Sequence, residues 1–204
     1  MGLEVTYLKH GIVLSQQKFT TDLLKSSGIS EFKHVVTPLP LNLKLQNNNS
    51  PLFHDPTHYR SLVSKLNFLT HTRADLSYTI QALSQYMQSP TDLHYQALTH
   101  TLNYVASTKG QGILLQAVDD LKLHAYSNSN WGVCLDTRKS ITGYVILFGN
   151  CSVSWKSKKQ NTVSRSSSEA EYRAMAAVAS EIVWIVCLLE ELGVEKHQTS
   201  LLRM

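Results

Sequence analysis

The sequence predicts an α+β chain in two parts: a three-helix segment over residues 53–108, then short strands followed by one long helix. Three observations carry this. Between 53 and 108 apolar residues recur at helical spacing, as in Tyr59, Leu62, Val63, Leu66 and Leu69. After Gly110 the pattern shortens to runs of strand length. From Met175 onward Val178, Ile182, Ile185, Leu189 and Leu192 return every three or four residues, the signature of a helix with one apolar face. The boundary between the parts falls near residue 118, giving regions 1–118 and 119–204.

The elements follow in order. Leu3 to Leu8 and Ile12 to Gln16 flank Lys9-His10-Gly11 and suggest a hairpin. Thr20 or Thr21 would cap a short helix through Asp22 to Lys25, ended by Gly28 in a left-handed cap. The stretch from Thr37 to Pro51, with Pro38, Pro40 and QNNNSP, reads as a loop. Asp55-Pro56 starts a helix, the acid capping and the proline in the first helical position. A second helix is expected from about Ala74 to Met87, and a third starts at Thr91 or Asp92 and stops at Gly110. Ile113 to Gln116, Lys122 to Tyr126, Gly143 to Phe148 and Ser152 to Trp155 read as strands, with Gly149-Asn150 turning the last pair into a hairpin. The long helix begins near Ser167, where Ser166 with Glu169, or Ser168 with Glu171, would form a capping box.

Composition narrows the function classes. The chain has 204 residues, 43% hydrophobic and 17% charged, which excludes a compositionally disordered chain. A formal charge of +4 leans toward an anionic partner such as nucleic acid. Cys134, Cys151 and Cys187 form neither a disulfide framework nor a metal cluster, and they fit a reducing, intracellular compartment. The first residues lack the pattern of a signal peptide. Gly2 and Thr6 meet the short myristoylation pattern, but Leu3 to Leu8 reads better as a strand. The apolar stretch Ala174 to Leu189 is shorter than the roughly 20 residues a bilayer requires, so a buried amphipathic helix and no membrane partner are expected.

Glu171 is the most informative single residue. One step back along the apolar stripe from Met175 lands on it, placing a carboxylate in the first turn on the face that meets the sheet. It is either a capping group held by the helix dipole or a Mg²⁺ ligand beside a strand carrying further carboxylates. The end of the strand where partners would stand reads Asn128-Ser129-Asn130, and an amide offers a neutral carbonyl without charge. Asp119-Asp120 looks like a turn, and Asp136 lies in a polar loop. Arg138, Lys139, Lys156, Lys158, Lys159 and Arg165 form the densest basic set, interleaved with Ser154, Trp155 and Ser157. Such mixtures bind phosphate backbones, although a solvated hairpin surface would look the same. His54 and His58 flank a helix start, and they, His94, His100 and His124 read as structural. There is no phosphate loop, nucleophile elbow, zinc finger or HExxH motif.

The same residues carry a family likeness. AYSNSNWGVCLDTRKSITGYVILFGNCSVSWKSKKQNTVSRSSSEAEYRAMA, Ala125 to Ala176, closely resembles the ribonuclease H region of copia-type retrotransposon polyproteins. LEVTYLKHGIVLSQQKFTTDLLKSSGI, YRSLVSKLNFLTHTRADLSYTIQALSQYMQSPTDLHYQAL and LNYVASTKGQGILL resemble the thumb and connection that follow the reverse transcriptase palm. The resemblance implies thumb and connection over 1–118 and a truncated ribonuclease H-like domain over 119–204, a three-stranded antiparallel sheet with a long helix. It places the family's first catalytic Asp on Asn128, a second conserved Asp on Asn130, the catalytic Glu on Glu171 and the basic hairpin segment on Ser154 to Gln160. Further aspartates are expected on a strand after Gly193, and no Asp follows Glu171. The implied ancestral activity is Mg²⁺-assisted hydrolysis of RNA in RNA–DNA hybrids. The expectation here is loss of catalysis, Mg²⁺ weakly bound or absent, and a strand edge along Leu121 to Tyr126 without its neighbour. The alternative is a non-catalytic module that binds nucleic acid or protein. The remainder of a polyprotein is the other implied partner.

Overall fold

The computed structural model describes residues 2–47, 50–118, 121–194 and 198–203. The expected turn at Asp119-Asp120 lies outside the described residues. Contacts divide the chain into two units, Met1–Tyr7 with Val13–Ile113, and Leu8–Ile12 with Leu114–Met204. One sheet is three-stranded, of order β1-β2-β3, built from β1 (Glu4–Leu8), β2 (Gly11–Ser15) and β3 (Ile113–Gln116).

The first unit is helical. The expected short helix starts earlier than Thr20 or Thr21, as α1 (Gln17–Ser26). Thr20 is inside it, and its hydroxyl donates to the Gln16 carbonyl at 2.8 Å instead of capping. Gly28 takes φ +74°, the left-handed conformation that ends a helix at least cost for glycine. α2 (Pro56–Leu69) begins as its sequence dictates: the Asp55 carboxylate accepts from the His58 N–H at 2.9 Å, with Pro56 in the first turn. The expected helix 74–87 is shorter and broken, a 3-10 turn at Ala74–Leu76 followed by α3 (Ser77–Ser84). α4 (Asp92–Ser107) is capped at Thr91, whose N–H donates to His94 Nδ1 at 3.0 Å. Leu62, Leu66, Leu69, Leu76, Ile80, Leu83, Leu98 and Leu102 form one buried core, each contributing about 1.5–3 kcal/mol relative to exposure. Tyr59 joins them, its hydroxyl donating to the Leu83 carbonyl at 2.9 Å.

The second unit is a sheet with one helix. Its strands are β4 (Lys122–Asn130), β5 (Ile141–Phe148), β6 (Cys151–Lys159) and β7 (Gln198–Arg203), in the order β6-β5-β4-β7. β4, β5 and β6 are antiparallel, and β7 pairs parallel to β4. This corrects the three-stranded antiparallel expectation: the sheet has four strands and is mixed. It also corrects the uncovered edge, since QTSLLR lies beside β4 from Lys122↔Gln198 to Tyr126↔Arg203. The physical reason is that α5 (Ser167–Glu191) serves as the long crossover that a parallel pair requires. β4 and β6 are longer than expected because their register with β5 continues through Asn130 and Lys159.

Along β4, Leu123 and Ala125 are buried and pack with Tyr144, Ile146, Val178 and Ile185, so this face meets α5. By strand alternation Ser127 and Ser129 share that face, and exposed Tyr126, Asn128 and Asn130 occupy the other. On α5 the buried stripe is Ala170, Ala174, Val178 and Ile185, one residue off the expected start at Met175. The two alanines have no side chain beyond Cβ to hold the helix away from the strands. α5 is long, as expected, but it is not the largely buried helix expected. It has 25 residues, and by length and composition it is apolar enough to cross a membrane. Val183, Trp184 and Leu188 on it, and Leu192 just after it, are exposed.

Candidate functional site

The first turn of α5 separates two acids with different work. Ser166 Oγ accepts from the Glu169 N–H at 3.1 Å, and Glu169 reaches back to the Arg165 N–H at 2.8 Å. Glu169 also pairs with Arg173 at 2.8 Å. The Arg165 N–H and then the Arg173 guanidinium hold its carboxyl below the usual range. Capping is therefore done by Glu169. Glu171 turns to the sheet instead, where its Oε1 accepts from the Ser129 N–H at 3.1 Å. Its Oε2 is buried without a hydrogen-bond partner. The bond falls on the part of β4 beyond Tyr126, past the pairing with β7.

Ser129 lies between Asn128 and Asn130, so Glu171 meets the strand backbone between the two sequence-matched positions, while their exposed side chains occupy the opposite face. The chemistry of the three is one carboxylate and two neutral amides. Two Mg²⁺ ions about 3.5–4 Å apart repel unless several carboxylates neutralise them, and this donor set does not fit such a pair. Among the described residues, no group of three or more His, Cys, Asp or Glu is placed to hold a metal ion. Asp136 is exposed in the loop after β4.

Behind this stretch lies a residue whose role the sequence did not reveal. Gln160 is buried, and its Nε2 donates to Ala170 O at 2.9 Å, Thr142 Oγ1 at 3.1 Å and Ser129 Oγ at 3.3 Å. Its Oε1 accepts from Ser164 Oγ at 2.9 Å. One amide thus ties the start of α5 to two strands and fixes the depth at which Glu171 sits. A lone Gln after a lysine run carries no signal of this in sequence.

The basic set divides in two. Lys156 pairs with Tyr144 and Lys158 with Thr142 across β5 and β6, which turns both lysines to the α5 face. With Lys159, Asn161, Arg173 and Glu181 they line a cavity of about 280 Å³. Arg173, absent from the sequence-derived set, belongs here. Glu181 is the cavity's acid, accepting from Ser154 Oγ at 2.8 Å. Burial and then the Glu181 charge push the Tyr144 hydroxyl up from its ordinary value. Arg138 and Lys139 stand apart on the loop between β4 and β5. That loop is closed by the Arg138 N–H to Cys134 O at 2.7 Å and the Cys134 N–H to Lys139 O at 3.2 Å. Lys159 Nζ lies 3.9 Å from Cys134 Sγ and so reaches toward this group too. Arg165 is exposed immediately before α5. The histidines play structural parts: His94 stacks on Tyr86 with ring centroids 3.8 Å apart, and His100 Nε2 bonds Thr37 O at 2.9 Å.

Comparison with known proteins shows what the chain is similar to. The chain is 44% identical over 195 residues to the retrovirus-related Pol polyprotein from transposon RE2 of Arabidopsis thaliana, a match covering 96% of this chain and 13% of that protein. It is 42% identical over 194 residues to the corresponding polyprotein from transposon RE1 of the same plant, again 13% of the relative. An uncharacterized mitochondrial protein of Arabidopsis thaliana is 37% identical over 184 residues, which cover 76% of it. No protein-family model matches the chain, and no solved structure matches it. The chain thus spans about 13% of the length of the two Pol polyproteins. Similarity of this degree along nearly its whole length shows that the chain belongs to the copia-type retrovirus-related Pol polyproteins of transposons.

Proposed function

We propose that residues 119–204 are a ribonuclease H-like unit of a copia-type polyprotein that has lost hydrolysis of RNA in RNA–DNA hybrids and retains a nucleic-acid-binding surface, with 1–118 as thumb and connection. The observation that carries this is the exchange of charge for amide around Ser129. Glu171 reaches the strand where the family likeness puts a metal site, but Asn128 and Asn130 bring no negative charge to meet it. A single carboxylate would hold Mg²⁺ weakly and would leave a bound water close to its ordinary acidity. The binding half of the proposal draws on the cavity of Lys156, Lys158, Lys159 and Arg173, which outnumber its one acid, Glu181.

Two measurements test it. The purified chain, incubated with Mg²⁺ and a labelled RNA–DNA hybrid, is expected to leave the RNA strand at background cleavage, and Asn128→Asp alone should not change this. Robust degradation by either protein would overturn the loss of catalysis. Binding of the same hybrid should weaken steeply with salt, and Lys156→Ala and Lys158→Ala should each lower the log–log salt slope by about one. Salt-independent binding, or none, would remove the nucleic-acid reading.

A further inference from the structure

The loop between β4 and β5 presents an aromatic side chain that the account so far leaves unused. Trp131, the residue after β4, is 53% exposed. Exposed tryptophans usually sample several orientations, but this one is held: its Nε1–H donates to the Ser164 carbonyl at 3.0 Å. The loop beneath it is held as well. Gly132 adopts φ +59°, and its N–H donates to Ser140 Oγ at 3.1 Å. The two backbone bonds joining Cys134 to Arg138 and Lys139 close the rest. The indole therefore keeps one edge fixed and a face open to water.

Two arginines lie next to its anchoring points. A Cβ placed on Gly132 would lie 3.8 Å from an Arg138 guanidinium nitrogen, so that group stands over the residue next to Trp131. Arg165 directly follows in the chain the residue whose carbonyl anchors the indole, and it is exposed. A held, half-exposed indole with two arginines on the adjoining backbone combines the requirements for gripping a single nucleic-acid strand: a flat surface on which a base stacks, and nearby charges for phosphates. A duplex buries its bases in the stack and offers only its ends.

We infer that Trp131 is a stacking platform for an unpaired nucleobase, with Arg138 and Arg165 taking the neighbouring backbone phosphates. This deepens the nucleic-acid reading above and rests on it. It assigns that reading to single strands and to the loop after β4, at the end of the sheet where Lys158 and Lys159 also lie.

The test uses the full chain, with short oligothymidylate and oligouridylate as separate probes and a blunt RNA–DNA hybrid as the comparison. Stacking should quench part of the intrinsic fluorescence. The quench should persist in Trp155→Phe and Trp184→Phe and vanish in Trp131→Phe. Trp131→Ala should weaken single-strand affinity about ten-fold, while Trp131→Phe, which keeps an aromatic face, should lose less. Arg138→Gln and Arg165→Gln should each lower the salt slope by about one. Hybrid binding should not depend on Trp131. A thermal melt of each variant shows whether it is folded. If Trp131→Ala fails to fold, the quench in the other variants decides. Single-strand binding without a Trp131 quench, or with wild-type affinity in folded Trp131→Ala, would overturn the platform and leave the broader nucleic-acid reading standing. Absence of binding to every probe would overturn both.

Discussion

The two units use helices in opposite ways. In the first, α2, α3 and α4 bury apolar faces in a common core, and Leu66, Leu83, Leu98 and Leu102 have essentially no surface left. In the second, α5 is the longest helix described and meets one sheet, so its inner stripe of Ala170, Ala174, Val178 and Ile185 is buried while Trp184 and Val183 remain about 60% exposed. A helix that packs with other helices has its stripe specified all along its length. A helix on a single sheet is specified on one side only. Tolerance to substitution should follow that difference.

The largest effect is expected in the helical core. Leu66→Ala should cost about 2–5 kcal/mol in urea unfolding, the range for a leucine cavity that cannot fully collapse. Next comes the buried cation of the first unit. Arg73 is 3% exposed and donates to Asp75 at 2.9 and 2.7 Å, and to Thr108 Oγ1 at 2.8 Å. Arg73→Met should cost about 2–3 kcal/mol by leaving these acceptors unmet. The pair also sets a pH dependence. Burial raises the Asp75 carboxyl, but the Arg73 hydrogen bonds and charge, with the Tyr104 hydroxyl, outweigh it and lower the folded value below 3.8. A lowered folded value means that the unfolded chain takes up the proton first. The stabilisation is therefore complete above about 3.8 and is lost as the pH falls through the lower folded value. Asp75→Asn should flatten the acid limb of the unfolding midpoint below about pH 3.8, where the lowered folded value acts.

In the second unit, Gln160→Ala should cost about 1–2 kcal/mol by leaving Ser129, Thr142, Ser164 and the Ala170 carbonyl without the amide. The smallest effect is expected on the outer side of α5, where Val183 is 63% exposed and Val183→Gln should change stability by less than about 0.5 kcal/mol. A cost above that of Gln160→Ala would mean that this side of α5 is buried in solution, and the contrast between the units would fail.

What could be read from the sequence follows the range of the forces involved. Asp55-Pro56, Gly28 and Gly110 mark real boundaries because capping and left-handed turns are decided within a few residues. The ends of β4 and β6 were misjudged because Asn128 to Asn130 and Lys156 to Lys159 have little strand preference of their own. They are strands because β5 pairs with them. β7 was missed for the same reason, being set by a partner more than seventy residues earlier in the chain. At the candidate site, Glu171 was legible because a carboxylate on a helix stripe interrupts a pattern, but its bond to the Ser129 backbone was not. Trp131 was overlooked, since an aromatic beside a turn looks ordinary until the carbonyl that pins it is seen.

One feature of the sheet bears on how copies of this chain behave together. β6 is an outermost strand, and Lys156, Lys158 and Lys159 occupy its end. An open strand margin is a template for adding a further strand, and clustered ammonium groups repel any identical margin that approaches it. These lysines would keep neighbouring molecules from zipping into fibrils even in a copy that never meets nucleic acid. Selection for solubility alone could thus preserve them after every other use had gone.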